Sequence, residues 1–67
     1  MDDTQPLAKA IEAFLARHPM SAVRFGREAM NDPHFVRDIR AGRRVWPETE
    51  ARVRGFMAGY VAEQAAA

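Results

Sequence analysis

The stretch SAVRFGREAMNDPHFVRDIRAG, residues 21–42, decides the fold. It reads as two short helices joined by a tight turn. Ser21 is an N-cap candidate, because its hydroxyl can accept from one of the unpaired N–H groups of a first helical turn. Ala22, Phe25, Gly26 and Ala29 then recur at helical spacing as an inward stripe, while Arg24, Arg27 and Glu28 face outward. Asn31 follows, a residue that tolerates the left-handed conformation a tight helix–helix turn requires. Asp32-Pro33 is the clearest start signal in the chain: a capping carboxylate, then a proline at the first helical position, where its missing N–H costs nothing. The spacing predicts a second helix over 33–41, with Phe35, Val36 and Ile39 on one side and Gly42 as its stop.

Working outward, a helix is expected on each flank. Upstream, Asp3-Thr4 are plausible caps and Pro6 sits in the first turn. Leu7, Ile11, Phe14, Leu15 and His18 follow at helical spacing, and Pro19 ends the run, because the residue before a proline disfavours the helical region. Downstream, Arg43-Arg44-Val45-Trp46 reads as an irregular connection, with Trp46 expected as a core plug beneath it. Pro47 opens the last helix, with Glu48 and Glu50 where the macrodipole favours anions. Val53, Phe56, Met57 and Tyr60 are its expected buried stripe, Gly59 weakens it locally, and residues 65–67 are expected to fray. Strand-like alternation, repeats and low-complexity linkers are absent. The expected fold class is all-α: a compact bundle of four to five short helices containing a helix-turn-helix, in one domain over 1–67.

Composition narrows the function classes. A chain of 67 residues lies near the lower limit for an independent core. Cysteine is absent, which excludes a disulfide scaffold and a thiolate zinc site. His18 and His34 are far apart, and His34 with Asp38 one turn on makes too few ligands, so no metal and no cofactor are expected. No run of about 18 apolar residues occurs, so no membrane span is expected. The acidic Met1-Asp2-Asp3 start is unlike a signal peptide, which points to a cytoplasmic, nucleoid-associated location. No enzyme is expected: Ser21 has no base partner at a suggestive spacing, and there is no glycine-rich phosphate loop.

Net charge is only +1, but its distribution is uneven. Nine of the ten cations are arginine, and Arg37, Arg40, Arg43 and Arg44 fall within eight residues, opposed there by Asp38 alone. Arginine's planar fork suits phosphate and guanine recognition, although a coding bias on a solvated face would leave the same composition.

At about 100° per residue, a helix that buries Phe35, Val36 and Ile39 presents His34, Arg37, Asp38 and Ala41 on its other side. Such a face suits a DNA major groove. Arg37 can pair with the O6 and N7 of a guanine, and His34 can donate to a base edge or a phosphate. Asp38 can accept from cytosine, or it can orient a neighbouring arginine such as Arg37. Ser21, Arg24, Arg40, Arg43 and Arg44 are candidates for backbone contacts, which set register and supply salt-dependent affinity. Gly26 supplies the small residue that a steep crossing of the two helices requires.

These residues resemble the helix-turn-helix of lambda-repressor-like regulators, the Cro and XRE group. The resemblance covers 22 residues, Ser21–Gly42. Ser21 matches the start of the first motif helix, Phe25 a core position, Gly26 the small position and Asp32 the cap of the recognition helix. Val36 and Ile39 match the buried positions of that helix, and Gly42 the glycine that closes it. The resemblance implies that Ser21, Pro33, His34 and Arg37 lie where the family meets operator DNA. In this chain Met30 and Asn31 depart from the family's usual glycine and hydrophobic residue.

The expected function is sequence-specific binding of double-stranded DNA as a transcriptional regulator, a repressor in the first instance. A homodimer on two-fold symmetric sites, through Met57, Tyr60 or Val61 as leftover apolar residues of the last helix, and monomeric binding alongside other proteins are equally open. The alternative is a small helical protein–protein interaction module or antagonist that uses the same fold without DNA, which the near-neutral charge favours.

Overall fold

The computed structural model describes residues 6–66, with side chains to residue 64. Four helices follow one another: α1 (Leu7–Arg17), α2 (Ala22–Met30), α3 (Phe35–Arg40) and α4 (Pro47–Ala66). No strand occurs among the described residues. The fold is the expected all-α bundle, except that its last helix is long, at 20 residues.

Local chemistry accounts for most of the boundaries. The Asp3-Thr4 caps lie outside the described residues, and α1 opens at Pro6, whose carbonyl accepts the Ala10 N–H at 2.9 Å. It closes before Pro19: His18 is already extended (φ −120°, ψ 124°), and the Met20 N–H donates to the His18 carbonyl at 2.7 Å across the proline. Ser21 caps α2 as expected, its Oγ accepting the Arg24 N–H at 3.0 Å. Asn31 takes the left-handed conformation (φ 53°, ψ 35°), and its N–H returns to the Arg27 carbonyl at 2.9 Å. With the Asp32 N–H on the Gly26 carbonyl at 3.1 Å, this return closes the helix through a left-handed residue, here asparagine in place of glycine.

The second motif helix begins later than the proline suggests. Pro33 and His34 form a turn, and α3 proper is the six residues Phe35–Arg40. Asp32 still organises the start: its Oδ1 accepts the His34 N–H at 2.9 Å and its carbonyl accepts the Phe35 N–H at 3.1 Å. Two bonds to one residue tighten the first turn below helical pitch. At the other end Gly42 has φ 101°. The Arg43 N–H reaches the Asp38 carbonyl (2.9 Å) and the Gly42 N–H reaches that of Ile39 (3.0 Å). This paired return is a Schellman stop, which favours glycine because a Cβ is strained at positive φ.

The core draws on every helix. Leu7, Ile11 and Phe14 of α1, Met20, Phe25 and Ala29, the α3 trio Phe35, Val36 and Ile39, and Val53 of α4 are buried together. Phe25 and Phe35 are completely covered. Around them Phe14, Phe25, Phe56 and Tyr60 pack edge-to-face, with Phe14–Phe25 at 5.4 Å and Phe25–Phe56 at 5.3 Å between ring centres. Such tilted pairs put ring edges against the negative ring faces and stabilise beyond their area. The α4 stripe is graded, not uniformly buried: Val53 is fully covered, while Phe56, Met57 and Tyr60 are half-buried.

Gly26 explains how α2 and α3 come together. A Cβ built there would lie 2.3 Å from the Asp32 carbonyl oxygen and 3.2 Å from Phe35 Cβ. Backbone therefore meets backbone at this point, and the Asp32 N–H donates to the Gly26 carbonyl at 3.1 Å. The small position expected from sequence is a steric necessity.

Besides the later start of α3, and α4 running on to Ala66 where fraying is expected from residue 65, one more expectation fails. Trp46 is 80% exposed and plugs nothing. Its carbonyl accepts the Glu50 N–H at 3.0 Å, which puts Trp46 at the N-cap of α4 and Pro47 at its first position. In an extended lead-in, neighbouring side chains point opposite ways. Val45 packs against the core, and Trp46 is turned out.

Candidate nucleic-acid interface

Burying Phe35, Val36 and Ile39 leaves the other side of α3 in solvent. Arg37 stands on that side, its side chain 74% exposed, with Nε 3.8 Å from Asp38 Oδ1. His34 is exposed just before the helix; its backbone is tied to Asp32, and its ring has no hydrogen-bond, ionic or aromatic partner among the described residues. Two of the three residues proposed from sequence to meet bases are thus accessible.

Asp38, the third, is already engaged. Its Oδ2 lies 3.3 Å from the Arg43 guanidinium, which also reaches Asp32 Oδ2 at 3.5 Å. The same guanidinium sits 5.7 Å from the centre of the Phe35 ring. Arg43 thus bridges the carboxylates at the beginning and the middle of α3 while resting near an aromatic ring, an arrangement that orders its otherwise flexible side chain. Asp38 thus lies near two arginines, with Arg43 its closer partner.

The remaining arginines divide into two groups. Arg40 turns from the exposed side of α3 toward α1 and forms a two-pronged pair with Glu12, Nε to Oε2 at 2.5 Å and Nη2 to Oε1 at 3.0 Å. The hydrogen bond from Arg40, with its charge, holds the Glu12 carboxyl below its ordinary value and outweighs the small opposing effect of burial. Arg24 pairs with Glu28 one helical turn on, and the hydrogen bond and charge of that carboxylate raise the guanidinium's pKa. Arg44 is exposed and has no ionic partner among the described residues. Ser21 uses its oxygen as the α2 cap, which leaves its hydroxyl proton available to a donor role.

The structure therefore brings Arg37, Asp38 and Arg43 into one ion-pair group on α3, sends Arg40 to α1 and keeps Arg24 on α2. Sequence reasoning offered Asp38 as an arginine partner and missed the other counterions, Glu28 and Glu12 among them. Glu28 carried a readable signal, four residues after Arg24 on the same helical face. Glu12, 28 residues from Arg40, carried none.

Of the residues considered for a dimer surface, Met57 and Tyr60 are half-buried against the chain's own core, and Tyr60 also meets the His18 ring at 5.1 Å. Val61 is 47% exposed. Met57 and Val61 line a shallow groove with Ala10 and Ala13 of α1. Among the described residues no three His, Asp or Glu side chains converge as metal ligands, and no helix is long and apolar enough to cross a membrane.

No protein-family model, no curated protein and no solved structure matches the chain.

Proposed function

We propose that this chain is a lambda-repressor-like, sequence-specific DNA-binding protein that lays the exposed side of α3 in the major groove and acts as a transcriptional repressor. The observation that carries the reading is the contact of Gly26 with Asp32 and Phe35. It locks α3 on α2 at one angle, with the apolar trio inward and Arg37 and His34 outward. A recognition helix needs that rigidity, since a bidentate arginine–guanine pair depends on geometry. Arg37 is the central base reader, His34 its neighbour, and Asp38 acts by fixing arginines. Ser21, Arg24, Arg40, Arg43 and Arg44 are the backbone contacts.

Three of those arginines hold carboxylates in the free protein, which favours the competing reading of a protein–protein module. One titration separates the two. Binding of a labelled mixed-sequence duplex is followed at several salt concentrations. If Arg24, Arg40, Arg43 and Arg44 all pass to phosphates, the log–log slope is about −3.6, from about −0.9 per neutralised phosphate. A slope near about −1 means that the carboxylates keep their arginines and Arg44 acts alone. No binding at low salt refutes the DNA reading and leaves the interaction module. On a selected site, Arg37→Ala is expected to cost about 1–3 kcal/mol and relax preference at one base pair.

A further inference from the structure

Trp46 is the single tryptophan of the chain and one of its most exposed large side chains, 80% accessible. Full burial of an indole removes about 150–250 Å² of surface from water, so leaving it out forgoes one of the larger hydrophobic gains open to so small a core. Val45, beside it, does pack inward.

A cation lies on its N-terminal side, while Glu48 and Glu50 follow in the first turn of α4. Trp46 shares a shallow depression of about 300 Å³ with Arg44 and Val45. Among the described residues Arg44 is the member of the 37–44 arginine cluster without a carboxylate: Arg40 is held by Glu12, Arg43 by Asp32 and Asp38, and Arg37 lies near Asp38. An unneutralised guanidinium next to an apolar ring carrying one N–H donor matches a sugar–phosphate backbone. The phosphate takes the charge and the N–H, and the deoxyribose takes the ring face.

Position agrees. Gly42 ends α3 and Trp46 follows four residues later, so their Cα atoms are at most about 14 Å apart. That reach is enough to span the roughly 12 Å width of the major groove. With α3 in the groove, the connection from Arg43 to Trp46 can reach one of the strands that border it.

We propose that Trp46 and Arg44 form a second, non-helical contact with DNA, in which the indole packs on a deoxyribose and its N–H donates to a phosphate oxygen. This rests on the DNA-binding reading above, and it adds an anchor that carries no sequence information. It sets how deeply and at what tilt α3 enters the groove.

Because the chain has a single tryptophan, its fluorescence reports on this position alone. The full chain is titrated with an unlabelled duplex at low salt while acrylamide quenching is measured, and affinity is measured separately from the anisotropy of a labelled duplex. The expected result is strong protection of Trp46 on binding. Trp46→Ala should weaken every duplex alike by about tenfold, with Trp46→Phe, which keeps a ring and loses the N–H, falling between. Both variants should retain the helical far-ultraviolet spectrum, since the side chain supports no packing. A duplex that binds with quenching unchanged, and with Trp46→Ala within twofold of the parent, overturns this inference and leaves DNA binding standing. Absence of any duplex binding overturns both. Protection that grows with protein concentration in the absence of DNA overturns it in favour of a second copy covering the indole.

Discussion

Glycines in the middle of α2 and in the middle of α4 have opposite physical meanings. Around Gly26 there is no room: the Asp32 carbonyl and Phe35 occupy the space a side chain would need. Around Gly55 and Gly59 there is nothing within 4 Å. The α2–α3 pair is joined backbone to backbone and has one permitted geometry. Helix α4 is held through the side chains of Val53, Phe56, Met57 and Tyr60, which can adjust. The part of the molecule proposed to meet DNA is the part with least freedom, and the supporting helix is the forgiving one.

The sharpest way to break this contrast is to make one substitution in both places. Gly26→Ala must separate α2 from α3, and overpacking against backbone is expected to destabilise by about 3 kcal/mol, against a helix-propensity gain of about 1 kcal/mol. Urea unfolding should show a large fall in midpoint; an unchanged midpoint would mean that the close approach is not real. Gly59→Ala, in open space, should raise stability by about 0.5–1 kcal/mol through propensity alone. Equal effects at the two sites would erase the distinction between the two regions.

The smallest effect concerns the tether from α3 to α1. Glu12 titrates below its ordinary value of about 4.5 because Arg40 binds its charged form. A carboxyl lowered by folding stabilises the native state above its unfolded pKa, and the gain is lost as pH falls through the folded value. Both side chains are about half exposed, 51% for Arg40 and 47% for Glu12, so solvent screens the pair. Glu12→Gln should lower the melting temperature by no more than a few degrees at neutral pH, with the difference closing below about pH 4. A difference that persists in acid would show that the glutamate acts through packing and not charge.

The same division governs what could be read from the chain. Ser21, Asn31, Asp32 and Gly42 were legible because their effects act over three to five residues, within one turn. The buried trio of α3 was legible from period alone. Boundaries were less so: Pro33 permits a helix start, but Asp32 takes both following N–H groups and delays it by two residues. Trp46 was misread because burial is decided by what lies across the fold, and a large ring beside a proline looks the same on either side of the connection. At the site, Arg37 and His34 could be placed from helical phase. The fate of Arg40 could not, since its partner is brought near only by the packing of α1 on α3.

The locked approach at Gly26 also bears on how the chain finds its shape. Its two sides, Gly26 and Asp32–Phe35, are separated by fewer than ten residues, so joining them closes a small loop at little entropic cost. Folding would then start from the middle of the sequence, with α1 and α4 condensing onto a formed α2–α3 pair. On that account a weakened Gly26 contact slows refolding, whereas changes in α4 chiefly hasten unfolding, a kinetic asymmetry that stopped-flow measurements on the two alanine variants would expose.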